Sequence, residues 1–362
     1  MRTIPQIEPW IDGTELEELT EVVKSTFITE NRKTEQFVER VQRITGSPHA
    51  IATSNGTLAI VAALLASGIG PGDEVIVPDL TFIASSNAVR LVGAMPVFCD
   101  VDKATGCLDI TAAEDAVTAR TKAIMPVHLY GQMVEMDPLL AMAQARGLVV
   151  IEDAAEAFGI TYRGRHAGTF GRFGTFSFFA NKTITCGEGG VVLCATYEDL
   201  AQLYRIKNHG RDRKGIFVHE SVGYNFCFTD LQAAVGVAQL RKFDQIMAGK
   251  QRVFARYHAN LDDLDVVTLV APPPHVRSNY WFTNILVPDP AALGAYLQEQ
   301  GIGNRRYFYP LHLQPCYADL GAAPCRNSLW LYEHGLSLPS GSRLSDDDID
   351  HVCEHVRRFF RN

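Results

Sequence analysis

Between residues 50 and 194, short β-branched apolar runs alternate with helix-like segments, and this rhythm restricts the fold more than any other feature of the chain. The runs are Ala50–Thr53, Glu74–Pro78, Met95–Cys99, Ala123–Val127, Leu148–Glu152, Gly174–Phe178 and Val191–Cys194. Several are apolar throughout, as strands covered on both faces are. Between them lie Gly56–Ala66, Ile83–Leu91, Asp109–Val117 and Met136–Arg146. Such alternation predicts an α/β fold on a mostly parallel sheet flanked by helices.

The rhythm stops near residue 195. Long helical patterns follow at Tyr197–Lys207, Thr229–Gln239 and Phe243–Leu261. A Pro-rich break at Ala271–Pro274 leads into a tail with a strand-like run, Trp281–Val287, a helix near Ala291–Gln300 and a closing helix from Ser345 to Phe360. Ser345, with Asp348 three residues on, marks the start of that last helix. We expect a large α/β domain over residues 1–245 and a smaller α+β domain over 246–362. A chain of 362 residues is long enough to bury both cores. It carries no internal repeat or low-complexity tract.

Net charge is −8, from 41 acidic and 33 basic residues, which argues against a general nucleic-acid or membrane-surface binder. No stretch approaches the roughly 20 consecutive apolar residues of a membrane span. Residues Met1–Trp10 hold one basic residue and no apolar core, so no signal peptide is expected and the expected compartment is the cytoplasm. The eight cysteines are scattered without a CxxC pair, and no disulfide framework is expected. His351 and His355 flank Cys353 on the closing helix. One helix supplies at most two of the ligands a metal needs, so no metal is expected. The glycines of Gly68–Gly72 follow a helix and precede a strand, the reverse of a dinucleotide fingerprint, and read as a loop.

Four pieces of the first domain carry chemistry. Ser54-Asn55-Gly56-Thr57 stands between a strand and a helix, where free backbone N–H groups can hold a phosphate or simply be capped. Asp153 closes an apolar strand, at the end where open α/β sheets place ligand-binding groups; it can hold a protonated ring nitrogen or cap a helix. Lys182 follows the Phe176–Phe179 run and precedes the Gly187–Gly190 turn. A lysine is usually a solvated charge, but a desolvated one can form a Schiff base. Ser177, five residues earlier, can reach a phosphate. His128 stands at a further strand end, in Val127-His-Leu-Tyr-Gly131, where a single histidine is more often structural than catalytic.

Together these pieces resemble the sugar-aminotransferase family named after its DegT, DnrJ, EryC and StrS members, in the fold-type I superfamily of enzymes that use pyridoxal 5'-phosphate. The resemblance runs nearly end to end and is most specific in IEDAAEAFG (151–159), GTFSFFANKTITCGEGG (174–190) and GYNFCFTDLQAAVG (223–236). Within the family the chain is most similar to the GDP-perosamine synthase branch. The resemblance implies an aspartate-aminotransferase-like fold with a seven-stranded sheet. It implies Lys182 as the cofactor lysine and proton shuttle, Asp153 as partner of the ring nitrogen, and Glu156 near the ring hydroxyl. Phe82 would stack on the ring. Gly56, Thr57 and Ser177 would hold the phosphate, with Asn55 beside them. Asn225 would reach the same phosphate from the partner subunit of an obligate homodimer with a shared site. His128, Tyr309 and His312 would lie near the sugar. Apart from the resemblance, Arg211, Arg213 and Lys214 form one basic loop that can face the nucleotide diphosphate, and Arg305-Arg306 before Tyr307-Phe308-Tyr309 offers pyrophosphate or base contacts or a surface patch.

The substrates implied are L-glutamate and a nucleotide-linked keto-sugar, of the GDP-4-keto-6-deoxymannose type on the branch resemblance. Two departures from the family bear on the sugar: Cys227 stands where many relatives have arginine, and the 31–37 stretch lacks a common glycine. Other readings are a UDP- or dTDP-linked substrate, a sugar dehydratase dependent on the same cofactor, and a non-catalytic regulator that binds it. The dehydratase version carries histidine in place of the lysine, so Lys182 argues against it. The intact set Lys182, Asp153 and Ser177 argues against the regulator.

Overall fold

The computed structural model describes residues 2–361 apart from 214, 216, 322 and 323. One seven-stranded sheet is built from β1 (His49–Thr53), β2 (Glu74–Pro78), β3 (Met95–Cys99), β4 (Thr121–Ile124), β5 (Val149–Asp153), β6 (Phe173–Ser177) and β7 (Gly190–Cys194). Their order across the sheet is β1-β7-β6-β5-β4-β2-β3. The pairs β2–β3, β2–β4, β4–β5 and β5–β6 are parallel, whereas β7 runs antiparallel to both β6 and β1. The reversal has a simple cause. The connection from β6 to β7 carries no crossover helix, and a direct return reverses the chain. All seven apolar runs fall on these strands, two of them without a shift and the others displaced by one to three residues. The largest shift is at Ala123–Val127: the ladder stops at Ile124, and Val127 continues as an isolated bridge to Asp153.

Helices cover the sheet. Gly56–Ala66 is apolar on all sides and buried from Ala59 to Leu64, as a helix pressed between sheet and neighbours must be. Met136–Arg146, Tyr197–Lys207 and Phe243–Leu261 lie where their patterns predict. The helix predicted at Thr229–Gln239 runs Asp230–Arg241, because Thr229 and Gln232 form a capping box at its start. Two N-terminal helices, Thr14–Ser25 and Arg32–Thr45, are additions to the sequence reading. The second is mostly polar and buries one thin stripe, Thr34, Phe37, Val41 and Thr45.

The tail holds more sheet than its one predicted strand. Thr268–Leu269, Thr283–Leu286, Gly335–Leu338 and Arg305–Arg306 form an antiparallel sheet in that order. Two of the additional strands have two residues each, too short to show a period. Pro290–Glu299 and Asp346–Arg361 pack on it, and Val253, Tyr257, Ile285, Leu293, Leu338 and Val352 share its core. Ile4 joins that core and bridges Ile302. No helix among the described residues is long and apolar enough to cross a membrane.

Candidate active site

The C-terminal ends of β2, β5 and β6 open along one edge of the large sheet, and the return from β6 to β7 brings Lys182 to it. Lys182 Nζ lies 3.2 Å from Glu156 Oε1 and 4.2 Å from the centre of the Trp281 ring, with the side chain only 14% exposed. The indole is fixed by its Nε1–H, which donates to the Asn181 carbonyl at 2.7 Å. The other oxygen of Glu156 accepts the Tyr130 N–H at 2.9 Å. Burial pushes the Glu156 carboxyl above its ordinary value, and the Lys182 charge pulls it back down.

Asp153 is buried at the end of β5. Its Oδ2 accepts the Ser85 hydroxyl at 2.6 Å and its Oδ1 the Ala155 N–H at 3.1 Å. An ionised carboxylate has about four lone-pair positions, so these two bonds leave room for a ring N–H. Phe82 precedes the helix that carries Ser85. Its ring is 52% exposed and touches Phe308 at 5.7 Å between centres, which leaves a face for a planar group.

The turn Ser54–Thr57 closes on the strand ends only because two positions are glycine. A Cβ on Gly56 would meet the Ser177 Cβ at 2.7 Å, and one on Gly190 would meet the Asn55 carbonyl oxygen at 2.3 Å. Helix start, β6 end and β7 start therefore meet at backbone distance. Asn55 caps the helix, its side chain accepting the Leu58 N–H at 3.0 Å. The first-turn amides of Gly56 and Thr57 have no intrahelical acceptor and point out of the helix start, where negative charge is favoured. Among the described residues, Ser177 Oγ accepts one bond, a long one from the Phe179 N–H at 3.4 Å.

His128 is a correction. The ring is fully buried, with Nε2 3.0 Å from Glu152 and Nδ1 accepting the Val134 N–H at 3.4 Å. Both nitrogens are used inside the core, so the ring has no edge for a sugar. Glu152 also accepts N–H bonds from Gly168, Phe170 and Gly171 at 2.6–2.8 Å, and the pair braces the strand ends beneath Asp153. Tyr309 is 41% exposed against Tyr332, and His312 is held by Asp79, which follows β2. The Phe308 N–H donates to Tyr130 Oη at 2.9 Å, which ties this segment to the residue that bonds Glu156. Arg305 lies over the Phe308 ring and Arg306 over Tyr332.

Arg211 and Asn225 stand elsewhere. They line a cavity of about 830 Å³ with Glu30, Asn31, Tyr204 and Cys227, and neither Lys182 nor Asp153 borders it. Arg211 donates to Asn208 Oδ1 at 2.6 Å, and the exposed Asn225 bridges Asn208. Arg213 is exposed, and Lys214 lies outside the described residues. Trp281, Ser85 and Asp79 are the site residues that the sequence reading missed. Each becomes recognisable only when distant segments meet, since Trp281 is about 100 residues from Lys182.

The groups at the sheet edge fit pyridoxal 5'-phosphate. A shielded primary amine suits its aldehyde, Asp153 its ring nitrogen, the Phe82 face its ring, and the glycine-closed helix start its phosphate. The same combination recurs in known proteins. Over 97% of its length the chain is 40% identical to GDP-perosamine synthase of Caulobacter vibrioides, covering 98% of that protein. It is 37% identical to GDP-perosamine synthase of Escherichia coli O157:H7, over 99% of each. Among solved structures it superposes with a TM-score of 0.94 on DesV of S. venezuelae, determined in complex with a ketimine intermediate, at 30% identity over 100% of both chains. The model of one family matches residues 9–357, and with this fold and these relatives the chain belongs to the DegT/DnrJ/EryC1/StrS aminotransferase family.

Proposed function

We propose that this chain, with pyridoxal 5'-phosphate, moves the amino group of L-glutamate onto a nucleotide-linked keto-sugar of the GDP-4-keto-6-deoxymannose type. The product is an amino sugar for surface polysaccharide or glycoside biosynthesis, made in the cytoplasm. The observation that carries the reading is Lys182 Nζ, shielded over the Trp281 ring and 3.2 Å from Glu156 at the edge that Asp153 closes. The two GDP-perosamine synthases, similar over almost the whole chain, support the GDP-linked choice.

When bound, the cofactor supplies an aldehyde that condenses with amines and a ring that takes up the electrons of a broken Cα–H bond. Lys182 anchors it. Once released by an incoming amine, Nζ takes the proton from the donor's α-carbon and later delivers one to the sugar carbon. One lysine thus serves as anchor, base and acid, and the overall order is ping-pong. Asp153 keeps a proton on the ring nitrogen. Glu156 faces the ring hydroxyl, and Gly56, Thr57 and Ser177 hold the phosphate beside Asn55. Tyr309 and His312 face the sugar. Arg211 and Asn225, set apart from Lys182 within one chain, reach the site of the other protomer in a homodimer.

The test gives the purified protein glutamate and a panel of GDP-, UDP- and dTDP-linked keto-sugars, with product mass and NMR as readouts. A GDP-linked amino sugar is expected. Turnover of UDP or dTDP substrates alone would replace the nucleotide. A product that has lost a hydroxyl without gaining nitrogen would make the chain a dehydratase. A yellow protein whose colour glutamate does not change would be a regulator.

A further inference from the structure

Asp79 follows β2 at the sheet edge and is fully buried. A buried carboxylate needs partners, and here one short turn supplies most of them. The Asp79 carbonyl accepts the Leu311 N–H at 2.9 Å, Oδ1 accepts the His312 N–H at 2.7 Å, and Oδ2 lies 2.7 Å from His312 Nδ1. Burial pushes the carboxyl above its ordinary value, and the bonds from His312 draw it back down. Cys325 completes the cluster, with one atom from each of the three residues within 4.8 Å of the others. That spacing would suit a metal ion, but His312 already engages both oxygens of Asp79, and burial with the nearby carboxylates pushes the Cys325 thiol up. The cluster is therefore built as a carboxylate–imidazole pair.

One end of that pair is left over. Among the described residues His312 Nε2 has no hydrogen-bond partner, and the side chain is 12% exposed. The turn Leu311–Leu313 stands next to the exposed Tyr309, and the loop after β2 carries Asp79 and, three residues on, the exposed Phe82. The partnerless nitrogen thus belongs to a turn docked on the loop that frames the ring face.

We propose that Asp79 is a positioning residue for the sugar half of the reaction: its three hydrogen bonds lock the Leu311–Leu313 turn and direct His312 Nε2 at the keto-sugar. This rests on the amino-transfer reading above. Facing a carboxylate, the imidazole keeps a proton on Nδ1 and offers Nε2 as an acceptor to a sugar hydroxyl. Glutamate has no such hydroxyl, so its half of the reaction does not use the pair.

The experiment takes the holoenzyme and its Asp79→Asn, His312→Gln and double variants, and follows the two half-reactions separately by cofactor absorbance. In Asp79→Asn the sugar half falls roughly 10- to 100-fold, while the glutamate half stays within about twofold, as expected when one contact is misplaced. The double variant is no worse than His312→Gln alone, because the two residues act as one unit. Equal losses in both halves, or losses that multiply, would overturn the proposal. If the wild type converts no keto-sugar, the amino-transfer reading fails by itself. The wild-type protein then decides the positioning question by ¹⁵N NMR of His312, which needs no variant to fold. A proton on Nδ1 with Nε2 bare supports the lock, and a proton on Nε2, alone or together with one on Nδ1, overturns it.

Discussion

At Lys182 the chain places a primary amine where water is scarce, between an indole ring and an acid. On the proposed mechanism, removing it takes away anchor, base and acid together. Lys182→Ala should keep the fold by circular dichroism and lose turnover roughly a thousandfold or more. Near-normal transamination by this variant would refute the mechanism, as would borohydride labelling of any other lysine in the wild type. Asp153, on the same proposal, works differently, through charge. Asp153→Asn keeps the shape and still accepts from Ser85, so it should bind the cofactor normally, yet its turnover should drop on the order of a hundredfold or more. An unaltered rate would reduce Asp153 to a cap. Both residues stand out in the sequence, Asp153 as the acid that closes an apolar strand and Lys182 as the lysine between the Phe176–Phe179 run and a glycine turn. His128 stands at a strand end too, and there the same appearance misleads. Sequence position says which end of a strand a residue occupies but not whether its ring turns outward or into the core, and Glu152 decides that.

Among the elements, the long helix Phe243–Leu261 has the most exposed consequence of burial. Lys250 lies inside it, 3% exposed, with Nζ donating to the carbonyls of Trp281 and Ser340 at 2.8 Å each. Burial pushes its pKa from 10.5 down to about 7. Between those values the unfolded chain holds more protons than the folded one, so stability rises with pH through that window, by at most about 1.4 kcal/mol per pH unit. Urea unfolding of the wild type and Lys250→Met at pH 7, 8, 9 and 10 should show the wild type gaining on the variant at each step. A constant difference would contradict this assignment. The elements themselves were legible wherever burial is two-sided, as in β2, or periodic over three turns, as in Met136–Arg146. Arg32–Thr45 escapes notice although its buried residues Thr34, Phe37, Val41 and Thr45 are spaced as on one helix face, because only two of the four are apolar, and the two-residue strands of the tail are too short to show a period.

For the whole molecule, the separation of Asn225 from Lys182 within one chain becomes a prediction about two chains. If each site takes its lysine from one protomer and its asparagine from the other, a mixed dimer of Lys182→Ala and Asn225→Ala has one site with both lesions and one with neither. Two inactive variants, refolded together with exchange confirmed, should then regain activity in about half of the mixed dimers' sites. No recovery would show that each site is complete within one chain, and an active Asn225→Ala alone would remove the residue from the site. Cofactor and dimer should also stabilise each other by mass action. The pairing of β1 with β7 carries a further consequence, one of timing. These strands lie about 140 residues apart, and closing so long a loop is slow. The turn Ser54–Thr57, proposed to hold the phosphate, begins right after β1 and is sealed by Gly190 at the start of β7. A ribosome must therefore release residue 194 before the turn exists, and any nascent chain cut short of that point lacks a place for the phosphate, however well its earlier strands have paired.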